Sequence, residues 1–287
     1  MWLSATLIVV AALAVPASAQ RTLAPGVMKS VDPERKLDES FSRHDVVELL
    51  AVDATYGKAK NAPFRHEVWT LDFKFKPVRM IWVDMPQDTG KMRRKLIWYM
   101  VFSVTNPGKA LQPVVADAAY KGGDHTCMEG TYKVVTVDKP VRFIPEFLLE
   151  GHESVEEGTG FSKVYPDRVI PIAKLPIERR EKQKLENTVD ICQTVKPGET
   201  VWGVATWENV DPKVDRFSIY VQGLTNAYRW SDQAGAFKKG SSIGTGRRLS
   251  RKTLKLNFWR PGDEYYPDER EIRYGIPGEV DYEWVYR

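Results

Sequence analysis

Two stretches of alternating side chains constrain this chain more than any other feature. In EVWTLDFKFKPVRMIWV (67–83), Trp69, Leu71, Phe73 and Phe75 share one face, and Thr70, Asp72, Lys74 and Lys76 share the other. A period of two belongs to an extended strand with one face buried. In RKLIWYMVFSVTN (94–106), Leu96, Trp98, Met100, Phe102 and Val104 alternate, but the opposite face carries Ile97, Tyr99 and Val101. A strand that is apolar on both sides belongs in the middle of a sheet, covered above and below. Asn106-Pro107-Gly108 ends it with turn chemistry.

Further strand patterns follow the same logic. HDVVELLAVD (44–53), TYKVVTVD (131–138) and VRFIPEFLLE (141–150) come first, then TVDICQTV (188–195), TVWGVATW (200–207) and RFSIYVQGL (216–224). TLKLNFW (253–259), REIRY (270–274) and YEWVY (282–286) close the chain. Pro145 lacks an N–H for a ladder, so its segment is expected at an edge or a bulge. PIERREKQKLEN (176–187) is the one convincing helix, with Pro176 in its first turn and its charges toward solvent. Many short strands with turns between them, and no strand–helix alternation, predict an all-β fold. The expected architecture is an immunoglobulin-like antiparallel β-sandwich with one short surface helix, over residues 40–287, either undivided or as two sub-domains.

The N-terminus reads as an export signal. Leu3 to Val15 is an apolar run of signal-peptide length, and Ala17-Ser18-Ala19 fits a small-x-small cleavage site. Residues 1–19 are expected to be removed and residues 20–39, polar and containing Pro25 and Pro33, to form a flexible linker. The alternative is an uncleaved anchor, since no Lys or Arg precedes the apolar run. No later stretch is long and apolar enough to span a bilayer as a helix. These features predict an exported, periplasmic or extracellular protein. Export makes a Cys127–Cys192 disulfide reasonable, against two buried thiols. The net charge of +4 is too balanced for a nucleic-acid binder.

Charge is instead segregated locally. Gln233–Arg260 holds eight Lys or Arg and no acid, whereas Asp263–Glu283 holds eight acids against Arg270 and Arg273. Residues 236–252, rich in Gly and Ser, read as a flexible basic loop. Its Lys238, Lys239, Arg247, Arg248, Arg251 and Lys252 form a candidate patch for an anionic partner, as does KMRRK (91–95) on a smaller scale. The plainer reading is a solvated loop, with cross-strand pairing to the acidic block.

Candidate chemistry is sparse. Asp263, Glu264, Asp268 and Glu269 match no calcium-loop spacing, and Pro261-Gly262 makes a hairpin turn the simpler reading. Asp124, His125, Cys127, Met128 and Glu129 include copper-ligand types, but a blue-copper set needs a second His, and His152 would have to arrive through the fold. Gly240-Ser241-Ser242-Ile243-Gly244 has the G-x-S-x-G form of serine hydrolases without the strand-to-helix context that makes it work. No motif calls for a cofactor or a metal. Trp259, Tyr265, Tyr266 and Tyr274 are the candidate rings for stacking on sugar, whereas Trp259, Tyr282, Trp284 and Tyr286 alternate as core residues would.

GVATWENVDP (203–212), YVQGLTNAYRW (220–230) and LNFWRPGDE (256–264), with WYMVFSVTN (98–106) and IERRE (177–181), together resemble a group of uncharacterised exported proteins of planctomycete bacteria. The resemblance runs from about Phe73 to the C-terminus. It implies a bacterial exported protein with an immunoglobulin-like sandwich, and it brings no activity, cofactor or catalytic residue. The sequence therefore predicts a non-catalytic envelope protein that presents a surface to an envelope protein or polysaccharide. The rival is a carbohydrate-binding module using the C-terminal rings, and a more distant one is an enzyme whose acid pair meets only in the fold.

Overall fold

A computed structural model describes residues 27–36, 39, 51–52, 66–115, 132–152, 162–261 and 272–287. The proposed signal peptide lies outside them, as do most of 44–53 and the segment 122–130. Of the strand expected at 44–53, only Ala51 and Val52 are described, and they are helical.

The chain is an all-β sandwich of two large sheets. In the first, β1 (Lys29–Val31), β2 (Asp72–Phe75), β4 (Met92–Thr105), β12 (Thr200–Glu208) and β10 (Glu186–Asn187) lie side by side, with β3 (Arg79–Pro86) also on β4. The second is ordered β14 (Tyr228–Asp232), β15 (Arg247–Trp259), β13 (Arg216–Gln222), β8 (Glu146–His152) and β9 (Lys163–Pro166). There β15 also pairs with β16 (Arg273–Tyr274) and β17 (Tyr282–Tyr286). Two small ribbons, β5 (Ala110–Val115) with β6 (Tyr132–Val137) and β7 (Val141–Arg142) with β11 (Thr194–Val195), complete the strands among the described residues. Among the described residues, no helix is long and apolar enough to cross a membrane.

The predicted alternation builds the interior. Phe73, Phe75, Trp98, Met100 and Phe102 of the first sheet face Phe147, Leu149, Phe217, Ile219, Leu254, Leu256 and Phe258 of the second. Ring centroids meet across the layers at 4.7 Å for Phe102–Phe147, 5.4 Å for Trp98–Phe217 and 6.1 Å for Phe75–Phe258. Burying each such ring is worth about 1.5–3 kcal/mol.

The long segment 67–83 is not one uninterrupted strand. Phe75 opposes Phe102 and Arg79 opposes Tyr99, so Lys76, Pro77 and Val78 stand against Met100 and Val101 alone. Pro77 has no N–H for the ladder, and one extra residue makes a bulge. The bulge shifts the phase of the alternation, so Phe75, Val78 and Met80 all face the core while Lys76 and Arg79 face outward.

The helix α1 (Pro171–Glu181) explains why β4 is apolar on both sides. It starts earlier than the sequence predicts, with Pro171 at its first position and Pro176 inside it. Its buried Ala173 and Ile177 pack with Ile97, Tyr99, Val101 and Val204 on the outer face of the first sheet. The helix is thus a lid over a second apolar layer, not merely a charged surface element. At its C-terminal end Glu181, with a side chain only 1% exposed, accepts hydrogen bonds from Lys76 Nζ at 2.8 Å, Arg79 at 2.7 Å and Tyr99 Oη at 2.7 Å.

Several expectations need correction. Residues 29–31 of the expected linker pair with β2, and the segment after them reaches β17: Trp284 Nε1 donates to Asp32 O, and Tyr286 Oη to Glu39. Pro145 precedes β8 instead of interrupting it, so β8 sits between β13 and β9 and not at an edge. Of 188–195 only Thr194–Val195 is extended. Arg247–Lys252, the second part of the expected basic loop, begins β15.

Candidate functional site

Of the predicted sugar-binding rings at the C-terminus, the two described ones, Trp259 and Tyr274, do not form an exposed platform. Phe258 opposes Tyr274 and Trp259 opposes Arg273, which gives the expected hairpin, but its tip, with Tyr265, Tyr266 and the four acids, lies outside the described residues. Tyr274 is 9% exposed and turned into the core against Phe75 and Phe258, and burial pushes its phenol pKa well up. Trp259 is half-buried beneath the Arg273 guanidinium, 5.3 Å from its ring centre. Tyr282, Trp284 and Tyr286 are half-buried, with their polar ends on Asp32 and Glu39.

The basic patch is divided by the strand that carries half of it. Lys238, Lys239, Arg248 and Arg251 are exposed. Arg247 is ion-paired to Asp232 at 2.8 Å and stacks on Trp230 at 4.9 Å. Lys252 is buried and bonded to Glu39 at 2.7 Å, so it is no part of an exposed patch. The expected neutralisation across strands is found at Lys255–Glu283, 2.7 Å apart. Cys192 is a half-buried thiol 3.5 Å from Thr188 O, and its expected partner Cys127 lies outside the described residues.

A concavity lies elsewhere. Strand β13 ends at Gln222, and the chain leaves the sheet for residues 223–227 before rejoining β15 as β14. The excursion crosses to the first sheet: Leu71 N–H donates to Leu224 O at 2.8 Å, and Thr225 Oγ1 to Trp69 O at 2.7 Å. The Asn226 amide clasps residues 67 and 69 from both sides, accepting from Trp69 N–H and donating to Glu67 O. Gly223 makes the departure possible. Its φ is +86°, and a Cβ there would sit 2.2 Å from Ile144 O.

Between this excursion, residues 144–146 and the β14–β15 ribbon lies an open cleft of about 620 Å³. Trp69, Tyr228, Ile144 and Leu249 give it apolar walls, while Arg142, Arg251, Glu146 and Gln222 supply polar ends. Tyr228 stacks with His66 at 5.7 Å and 17°, and its ring centre is 5.9 Å from that of Trp230. Register places Tyr228 opposite Arg251 and Trp230 opposite Leu249, so rings and cation share one face of the ribbon. The strand expected over 216–224 ends at Gln222, and Gly223 is the one local signal of the departure; the partnership with Trp69 and Arg142 has no local signature.

Catalytic arrangements are few. His152 Nε2 lies 2.8 Å from Ser218 Oγ, a serine–histidine contact. Ser218 is fully buried and donates to Asn257 Oδ1 at 2.7 Å, so the ring N–H must point at the hydroxyl and cannot take its proton. Burial holds His152 below the ordinary imidazole range, in the neutral form. Gly240–Gly244 lies in turns, away from any strand-to-helix junction. Among the described residues, no group of three or more His, Cys, Asp or Glu is arranged to hold a metal ion.

Comparison with protein-family models, with curated proteins and with solved structures gave no match.

Proposed function

We propose that this chain is a non-catalytic, exported binding protein of the bacterial envelope, and that the cleft beside Trp69 and Tyr228 holds a segment of polysaccharide. One observation carries the reading: an open cleft of about 620 Å³ whose rings stand on strands and on a clasped segment, not on free loops. Flat rings offer apolar faces to the C–H faces of sugars, and a few fixed polar groups orient the chain. The wiring of Ser218 and His152 supports the non-catalytic part. Export rests on the N-terminal pattern and on the resemblance to exported planctomycete proteins.

The test is a glycan array probed with residues 20–287, wild type beside Tyr228→Ala. Retention of a polysaccharide class by the wild type, lost in the variant, is the expected result. An array without hits, or hits indifferent to Tyr228, overturns the reading. A second reading, a protein partner, has its own observation in the β3–β4 hairpin, where Trp82 is 51% exposed and Arg94 lies 5.3 Å from its ring centre. A pull-down from envelope extract that loses its partner on Trp82→Ala would favour it.

A further inference from the structure

The charges around the cleft are not balanced. Arg142, Arg251 and Lys252 line it against Glu146 alone. Lys252 is neutralised from behind by Glu39, with Glu34 at 3.2 Å. Arg142 and Arg251 are exposed, and neither has an ion-pair partner among the described residues. They reach the cleft from different elements, Arg142 from β7 and Arg251 from the ribbon. The next cations along β15 and its loop, Arg248, Lys238 and Lys239, are exposed as well. A guanidinium beside an aromatic face is the arrangement that takes a planar carboxylate on a ring: the fork donates to both oxygens while the ring packs beside it.

We propose that the cleft selects acidic glycan chains, those carrying carboxylates on their sugar rings, over neutral chains of the same backbone. This rests on the reading of the cleft as a glycan site and adds the ligand's charge to it. Trp69 and Tyr228 are the rings that line the cleft, Tyr228 backed by His66 stacked at 5.7 Å. Arg251, cross-strand from Tyr228, and Arg142 supply the counter-charge for carboxylates beside those rings. An acidic peptide would satisfy the arginines but leave the flat apolar faces uncovered. Glu146 opposes any anion at its own position, so the carboxylates are held at the arginine ends.

The test is calorimetry with the mature chain and a galacturonate hexamer, against the same hexamer fully methyl-esterified. The two ligands share rings and linkage and differ in charge. The acid form is expected to bind at least about tenfold tighter, the scale of one charge-assisted hydrogen bond. The double variant Arg142→Gln, Arg251→Gln, both exposed and so expected to fold, is expected to erase that gap. Added salt is expected to weaken the acid form only. Equal affinity for acid and ester overturns the charge proposal and leaves the glycan site standing. No binding of either hexamer, with a blank glycan array, overturns the site itself. Acid binding that survives Tyr228→Ala but is lost on Lys238→Gln, Lys239→Gln places the chain on the loop and overturns the proposal. A glutamate hexamer binding as tightly as the galacturonate does so too, because the rings would then contribute nothing.

Discussion

Replacing Glu181 with Gln tests whether the helix lid is locked by charge. The carboxylate is 1% exposed and holds Lys76, Arg79 and Tyr99, three donors from three positions on the outer face of the first sheet. The amide keeps the shape, removes the charge, and turns an NH2 toward Lys76 or Arg79, which can only donate. Breaking a buried ion pair from one side costs about 3–5 kcal/mol. The lower end applies here, because Lys76 and Arg79 keep 12% and 15% exposure and water can reach them. About 3 kcal/mol corresponds to roughly 6–12 °C in Tm for a chain of this size. Tyr99→Phe, which removes one hydrogen bond to the same carboxylate, is expected to cost about 1.5 kcal/mol. Acid supplies an independent check. Burial pushes the Glu181 pKa up, but the hydrogen bonds from Lys76 and Tyr99 and the charges of Arg79 and Lys76 outweigh it, and the net shift is downward. A lowered folded-state value means a stabilisation that is present above the ordinary carboxylate range and lost as pH falls through the folded value. Urea melts of wild type and Glu181→Gln should therefore differ at neutral pH and converge in acid. A difference below about 0.5 kcal/mol at neutral pH, within the scatter of an ordinary surface change, or one that persists in acid, would refute the locking argument.

Other consequences follow from named contacts. Gly223→Ala forces a side chain into positive φ and onto the Ile144 carbonyl, and is expected to cost more than about 2 kcal/mol, read as a lowered urea midpoint. Lys252→Met leaves Glu39 buried without its cation and loosens the N-terminal segment from β15 and β17; faster tryptic cleavage after Arg35 or Lys36, followed by mass spectrometry, is the expected result. A fluorophosphonate probe is expected not to label Ser218, because its hydroxyl is buried and donates to Asn257; labelling there would end the non-catalytic reading.

The layering was legible in the sequence because side-chain alternation reports it directly. Phe73, Phe75, Trp98, Met100 and Phe102 could be assigned to one interior, and Ile97, Tyr99 and Val101 to a second cover, from spacing alone. What spacing does not carry is phase and partnership. The bulge at Pro77 shifts the alternation by one residue, a change that depends on what β4 presents opposite it. The helix begins at Pro171 because its apolar stripe needs Ala173 as well as Ile177, although the charged run after Pro176 looks more helical. The order of strands is set by long-range pairings with no local signature. For the site, composition drew attention to the C-terminal rings, yet Tyr274 is spent on the core. Trp69 and Tyr228 form a cleft only because Asn226 clasps a segment about 157 residues away. Arg251 and Lys252 were visible beforehand, as members of the basic run.

Hydrogen–deuterium exchange of the mature chain, with and without the polysaccharide that the array selects, tests the central claim most directly. Slowed exchange is expected at 142–146, 222–230 and 247–251, with the β3–β4 hairpin and the strand around Trp259 unchanged. Protection centred on residues 79–95 or on Trp259, with the cleft segments unaffected, would contradict it.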